Sequence, residues 1–256
     1  MKVGDKGDNV KYLQELLTDK GYPITIDGNF SIVTLEYVKA FQRASGLTVD
    51  GIAGPATVLK LKTGISDTAY SRVAKSIGVE PAVIKAVKTV ESAGSGFLPS
   101  GQIKSLFEGH VFWRELAARK ITPEKILNKD NQDILYKTWT TKYYKSGIVE
   151  YNRLVRALEI NREAAFASAS YGLFQIMGNN YKLCGCLSPE DLYNKMYHSE
   201  TKQLELFAEF VKQSGMVNSL KKKDWAGFAK RYNGPSYKQN KYDTRLEQAY
   251  NKYKLK

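Results

Sequence analysis

A chain of 256 residues with 43% apolar and 25% charged side chains has the composition of a folded protein of one to three domains, which excludes a disordered or fibrous polymer. No stretch of about 18 consecutive apolar residues occurs, so we expect no membrane span and no stable membrane insertion. The net charge of +13 is unevenly placed: residues 1–63 hold eight basic and seven acidic side chains, and the rest 31 and 19. This excess calls for an anionic partner, and charge alone does not choose among nucleic acid, membrane surface and cell wall.

In chain order, Met1-Lys2-Val3-Gly4-Asp5 has no apolar core or small-residue cleavage site, so no secretory leader is expected. Val10, Leu13 and Leu17 form the apolar stripe of a first helix, and Leu35, Val38 and Phe41 that of a second. An internal repeat sets the turns. Asp27-Gly28-Asn29-Phe30-Ser31-Ile32-Val33-Thr34 is echoed by Asp50-Gly51-Ile52-Ala53-Gly54-Pro55-Ala56-Thr57. Asp-Gly makes a tight turn, Ser31 is placed to cap the second helix, and Pro55 opens a third. Polar residues 62–68 mark a boundary, dividing the chain into domains 1–63 and 64–256.

With Gly4, Gly7, Val10, Leu13 and Gln14 preceding the two repeats and Phe41-Gln42 closing the second helix, residues 2–62 resemble the peptidoglycan-binding-domain family. Ser31-Ile32 departs from the Gly-Pro usual in that family. The resemblance implies a three-helix module that binds bacterial peptidoglycan. A helical spacer without a ligand is the plainer alternative.

The second part opens with a helix over 81–91, with Pro81 in its first turn. Val83, Val87 and Val90 form its apolar stripe, and Glu91 falls on that same stripe just before Gly94 and Gly96. Desolvation and the negative end of the helix dipole both favour the protonated carboxyl, the form a glycosidase uses to protonate a leaving oxygen. Alone, this Glu reads more readily as an exposed helix-end residue. Farther on, Leu192 to Val211 reads as one core helix, and Lys221-Lys222-Lys223 as a solvated face.

Three segments carry a second resemblance: Glu91-Ser92, then Ser170-Tyr171-Gly172-Leu173-Phe174-Gln175-Ile176, then Arg231-Tyr232-Asn233-Gly234-Pro235. They are similar, in order and spacing, to the signatures of the goose-type lysozyme and lytic transglycosylase superfamily. Val90-Glu91-Ser92-Ala93-Gly94-Ser95-Gly96-Phe97 followed by Phe107-Glu108-Gly109-His110-Val111-Phe112 resembles the phage N-acetylmuramidase family more closely, over residues 70–253. The fold class this implies is all-α: the three-helix module followed by a helical lysozyme-like domain with a groove between lobes.

The resemblance and the local chemistry together name Glu91 as general acid. Glu108 is the candidate second carboxylate, as nucleophile, oxocarbenium stabiliser or base for water, or else a structural partner of Arg114 or Lys104. Ser92, Tyr171, Gln175, Tyr232 and Asn233 are expected to bind substrate, the last two approaching Glu91 from the opposite wall. His110 either holds Glu108, binds sugar or is structural. Cys184 and Cys186, one residue apart, suit free thiols, and with the distant His110 and His198 they make no zinc spacing. We therefore expect no metal, no cofactor and a monomer.

The expected activity is a muramidase that hydrolyses the β-1,4 bond between N-acetylmuramic acid and N-acetylglucosamine, causing host lysis. It would be made in the cytoplasm and reach the periplasmic wall after a holin opens the membrane. A lytic transglycosylase, which needs one Glu and releases 1,6-anhydro products, is the near alternative, and a non-catalytic wall-binding protein a more distant one. No nucleic-acid-binding motif is present, so nucleic acid is not an expected partner.

Overall fold

The computed structural model describes residues 1–92 and 94–255, apart from the side chain of Ser236; Ala93, inside the Val90–Phe97 motif, and Lys256, in the basic C-terminus, lie outside them. The first three helices are α1 (Asp8–Asp19), α2 (Ile32–Ala44) and α3 (Pro55–Lys62). They close over a small core of Val10, Leu13, Leu16, Leu17, Phe30, Val38, Phe41 and Leu61. Ser31 caps α2, accepting from the Thr34 N–H, and Pro55 sits in the first turn of α3. The repeat also has a buried cause. Gln14 donates to Asp27 Oδ1 and the Asn29 carbonyl and accepts from the Asp27 and Gly28 N–H groups. Gln42 repeats the pattern with Asp50, the Ile52 carbonyl and the Gly51 N–H. Each glutamine thus satisfies a turn that a small core could not otherwise bury.

The remaining helices are α4 (Asp67–Ile77), α5 (Pro81–Glu91), α6 (Gly109–Ala118), α7 (Pro123–Ile126), α8 (Gly147–Ile160), α9 (Arg162–Ala167), α10 (Pro189–His198), α11 (Glu200–Gln213), α12 (Val217–Lys222), α13 (Trp225–Asn233) and α14 (Tyr242–Lys254). They share one core that includes Ile84, Val87, Phe107, Phe112, Leu116, Phe207 and Phe228. The helical class holds, with one small addition: β1 (Ser105–Phe107), β2 (Ala169–Tyr171) and β3 (Ile176–Met177) form an antiparallel sheet in that order, pairing Ser105 with Tyr171 and Ser170 with Met177. The single helix expected from Leu192 to Val211 is two. Extended Ser199 separates α10 from α11 and caps the latter, its hydroxyl accepting from the Lys202 N–H. Serine favours such a break because its side chain replaces the missing backbone partner. Among the described residues no helix is long and apolar enough to cross a membrane.

The small helical module is docked on the larger region. Tyr12 donates to the His198 carbonyl at 2.6 Å, and His198 Nε2 lies 2.9 Å from Glu15 Oε2. Buried Lys62 places its ammonium 3.5 Å from the centre of the Tyr197 ring and 4.4 Å from that of Phe97.

Candidate active site

Glu91 is the last residue of α5, whose Val83, Val87 and Val90 are buried as the stripe requires. Its carboxyl enters a cleft of about 360 Å³ lined by the hairpin after β2 and by residues of α13 and α14, among them Gln175, Met177, Asn180, Tyr232, Asn233 and Tyr242. Burial pushes the Glu91 carboxyl above the usual range, opposed by a hydrogen bond from Asn233 and by the charge of Arg245. Asn233 Nδ2 donates to Glu91 Oε2 at 3.0 Å. Among the described residues, Glu91 Oε1 and Asn233 Oδ1 are buried without a hydrogen-bond partner. A carboxyl whose burial favours its protonated form can donate that proton to a bound ligand.

The expected residues divide into those at the cleft and those away from it. Asn233 meets Glu91. Tyr232 lines the cleft, but its hydroxyl is committed to the Phe174 carbonyl at 2.7 Å, and its ring stacks on Phe228. Gln175 lines the cleft in a left-handed conformation (φ 47°) that is costly for a residue other than glycine. Its amide is pinned at both ends, accepting from Ser170 Oγ and donating to the Gly172 carbonyl. Ser92 turns back on its own loop, its hydroxyl donating to the Gly94 carbonyl at 2.9 Å.

Tyr171, expected in the groove, is fully buried. Its hydroxyl donates to the Phe166 carbonyl and its ring stands edge-on to Tyr193. The correction has a simple cause: β2 is the central strand, and all three of its residues are covered, so alternation exposes neither face.

Glu108 follows β1 and caps the start of α6, its N–H donating to the Ser168 carbonyl. Neither Arg114 nor Lys104 pairs with it among the described residues. Instead Tyr144 donates to Glu108 Oε2 at 2.5 Å. His110 Nδ1 lies 3.3 Å from the same oxygen without hydrogen-bond alignment. Burial lowers the affinity of His110 for a proton, opposed by the Glu108 charge, and burial followed by the bond to Glu108 keeps the Tyr144 hydroxyl protonated. Beneath this group lies an unforeseen buried pair. Glu150 Oε1 accepts from the Phe107 N–H and from Arg153, while Oε2 accepts from the Lys145 N–H. One carboxylate thereby fixes the residue before Glu108 and the residue after Tyr144. Its signal was present: Glu150 and Arg153 fall on the apolar face of α8 with Leu154 and Ala157. Tyr144, in an irregular tyrosine-rich segment, carried no signal.

The N-acetylmuramidase family model matches residues 80–254, and the peptidoglycan binding domain model matches residues 6–61. N-acetylmuramoyl-L-alanine amidase CwlL of Bacillus licheniformis is 42% identical over 60 residues, covering 22% of this chain and 17% of that protein. The zinc D-Ala-D-Ala carboxypeptidase of Streptomyces albus G is 44% identical over 66 residues, covering 24% and 25% respectively. The chain thus matches a quarter or less of the length of these curated relatives. A crystal structure of the Burkholderia AP3 phage endolysin is similar over 100% of this chain and 99% of that one, at 36% identity and a TM-score of 0.70. The match to the family model over residues 80–254 shows that this chain belongs to the N-acetylmuramidase family.

Proposed function

We propose that the chain is a phage endolysin that holds peptidoglycan through residues 1–63 and, through residues 64–256, hydrolyses the β-1,4 bond between N-acetylmuramic acid and N-acetylglucosamine. The observation that carries this reading is Glu91 itself: a desolvated carboxyl at a cleft, steadied on one oxygen by Asn233 and unengaged on the other. Glu91 protonates the glycosidic oxygen as the bond to the sugar's anomeric carbon breaks. Glu108, held by Tyr144, supports the developing positive charge or takes the proton of the attacking water. Gln175, Tyr232 and Asn233 shape the sugar site around Glu91. The protein acts as a monomer without metal or cofactor. It reaches the wall once the membrane has been opened by a holin.

One observation favours a second reading. Among the described residues lining its cleft Glu91 is the sole carboxylate, and one Glu suffices for a lytic transglycosylase, in which the sugar's own C6 hydroxyl replaces water. The test is to digest purified peptidoglycan with wild type and Glu91→Gln and identify the products by mass spectrometry. Reducing N-acetylmuramic acid ends, absent with Glu91→Gln, support the muramidase. Products with 1,6-anhydro ends establish the transglycosylase and remove Glu108 from the mechanism. No soluble fragments from the wild type would leave a binding protein.

A further inference from the structure

The loops on either side of Glu91 are both held by the first turn of α11. Glu200, buried to 3% exposure, accepts at Oε1 from the Ser95 hydroxyl (2.8 Å) and the Gly96 N–H (2.7 Å). Its other oxygen accepts from the Gly64 N–H at 2.6 Å. Gly64 lies two residues beyond α3, and Lys20, the residue just after α1, donates to the carbonyls of Thr63 and Gly64. One helical turn along, on the same face, Gln203 Oε1 accepts from the Leu173 N–H in the hairpin that carries Gln175, and its amide donates to the Met196 carbonyl. The contact is close on both sides: a Cβ at Gly96 or Gly172 would come within 2.2 or 2.5 Å of Gln203 Oε1.

A buried carboxylate without a direct ion pair among the described residues is expensive unless it is hydrogen-bonded; here the charge of Lys20 is near it, and all three donors are supplied by loops rather than by its own helix. Two of those donors lie four and five residues after Glu91. The third lies at the joint between the two parts of the chain. We propose that Glu200 is a positioning residue that ties the docking of the small helical module to the placement of Glu91, so that the module contributes to turnover as well as to wall binding. The proposal rests on Glu91 being the acid.

The geometry supplies its own probes. Glu200→Gln keeps the shape, but a carboxamide has one acceptor oxygen, so an N–H must face either Gly64 or Gly96. Ser95→Ala removes one donor at the catalytic end. Lys20→Met loosens Thr63 and Gly64 at the module end and removes a charge near Glu200, leaving the Ser95 and Gly96 donors in place. In the full-length protein, steady-state kinetics on soluble glycan fragments should give a kcat lower by about tenfold for Glu200→Gln and several-fold for Ser95→Ala and Lys20→Met, with KM within about twofold. Sedimentation with insoluble sacculi should retain all three like wild type. A loosened loop lets water reach Glu91, so the alkaline limb of the kcat/KM profile should move to lower pH in Glu200→Gln and Ser95→Ala, a change that lost stability alone does not produce.

Wild-type kcat and pH limb in folded Glu200→Gln and Ser95→Ala would overturn the positioning role. Wild-type kcat in Lys20→Met alone would overturn its extension to the module. Glu91→Gln run in parallel keeps the two readings apart, since activity retained there removes Glu91 as the acid whatever Glu200 does to kcat.

Discussion

Glu91 and Glu108 are placed in opposite ways. Glu91 ends a helix, lines a cleft and has a hydrogen bond from Asn233 on one oxygen and, among the described residues, none on the other. Glu108 precedes a helix and has a tyrosine hydroxyl pressed on its carboxylate with a histidine beside it. Burial of the first favours its acid form, and the second accepts a hydrogen bond from a hydroxyl. Each is steadied from below by a buried glutamate. Glu150 under Glu108 is ion-paired with Arg153, whereas Glu200 beside the Glu91 loop accepts from N–H and O–H donors and has the charge of Lys20 near it without a direct ion pair among the described residues.

The contrast is broken most severely at Glu91. Glu91→Gln should lower kcat by about 10²–10⁴-fold in a muropeptide-release assay, and a smaller loss than at Glu108 would reverse the assignment. The same variant should be more stable than wild type at pH 7. A carboxyl whose folded pKa is raised binds its proton more tightly when folded, so stability declines as pH rises from the unfolded value through the folded one. The gain should therefore shrink at pH 4, as thermal melts at the two pH values would reveal.

Removing the support under Glu108 comes next. Glu150→Ala strands Arg153 in the core and should cost about 3–5 kcal/mol by denaturant unfolding, and a cost under about 1 kcal/mol would mean the pair is dispensable. Glu108→Gln should lower kcat by about 10–100-fold if Glu108 activates water, and Tyr144→Phe by several-fold in the same assay. Asn233→Leu sharpens the other side: it deletes the donor that favours ionised Glu91, so the alkaline limb of kcat/KM should move to higher pH, and movement to lower pH would contradict the geometry. Smallest is Tyr171→Phe, which should cost about 1 kcal/mol of stability and leave kcat unchanged, as befits a core residue.

What was readable in advance was local. The Asp-Gly repeats, Ser31, Pro55 and the valine stripe ending at Glu91 are set by turn chemistry, capping and helical period, which act over a few residues. The order of the Glu91, Gln175 and Asn233 segments pointed to one site, and the fold brings those three together. Ser199 could have been read as a cap, but no Gly or Pro marks the break and the apolar pattern runs on across it.

The amino-acid order alone therefore determined two helical parts, the turns of the first and a carboxylate aimed inward at the end of a helix. Tertiary structure alone decided that Tyr171 lies in the core, that Tyr144 meets Glu108 from 36 residues away, and that Glu200 joins Gly64 to Ser95 and Gly96. Periodicity reports which side of an element is apolar. Which groups meet across elements depends on how those elements pack, and a buried carboxylate finds its donors only after they have done so.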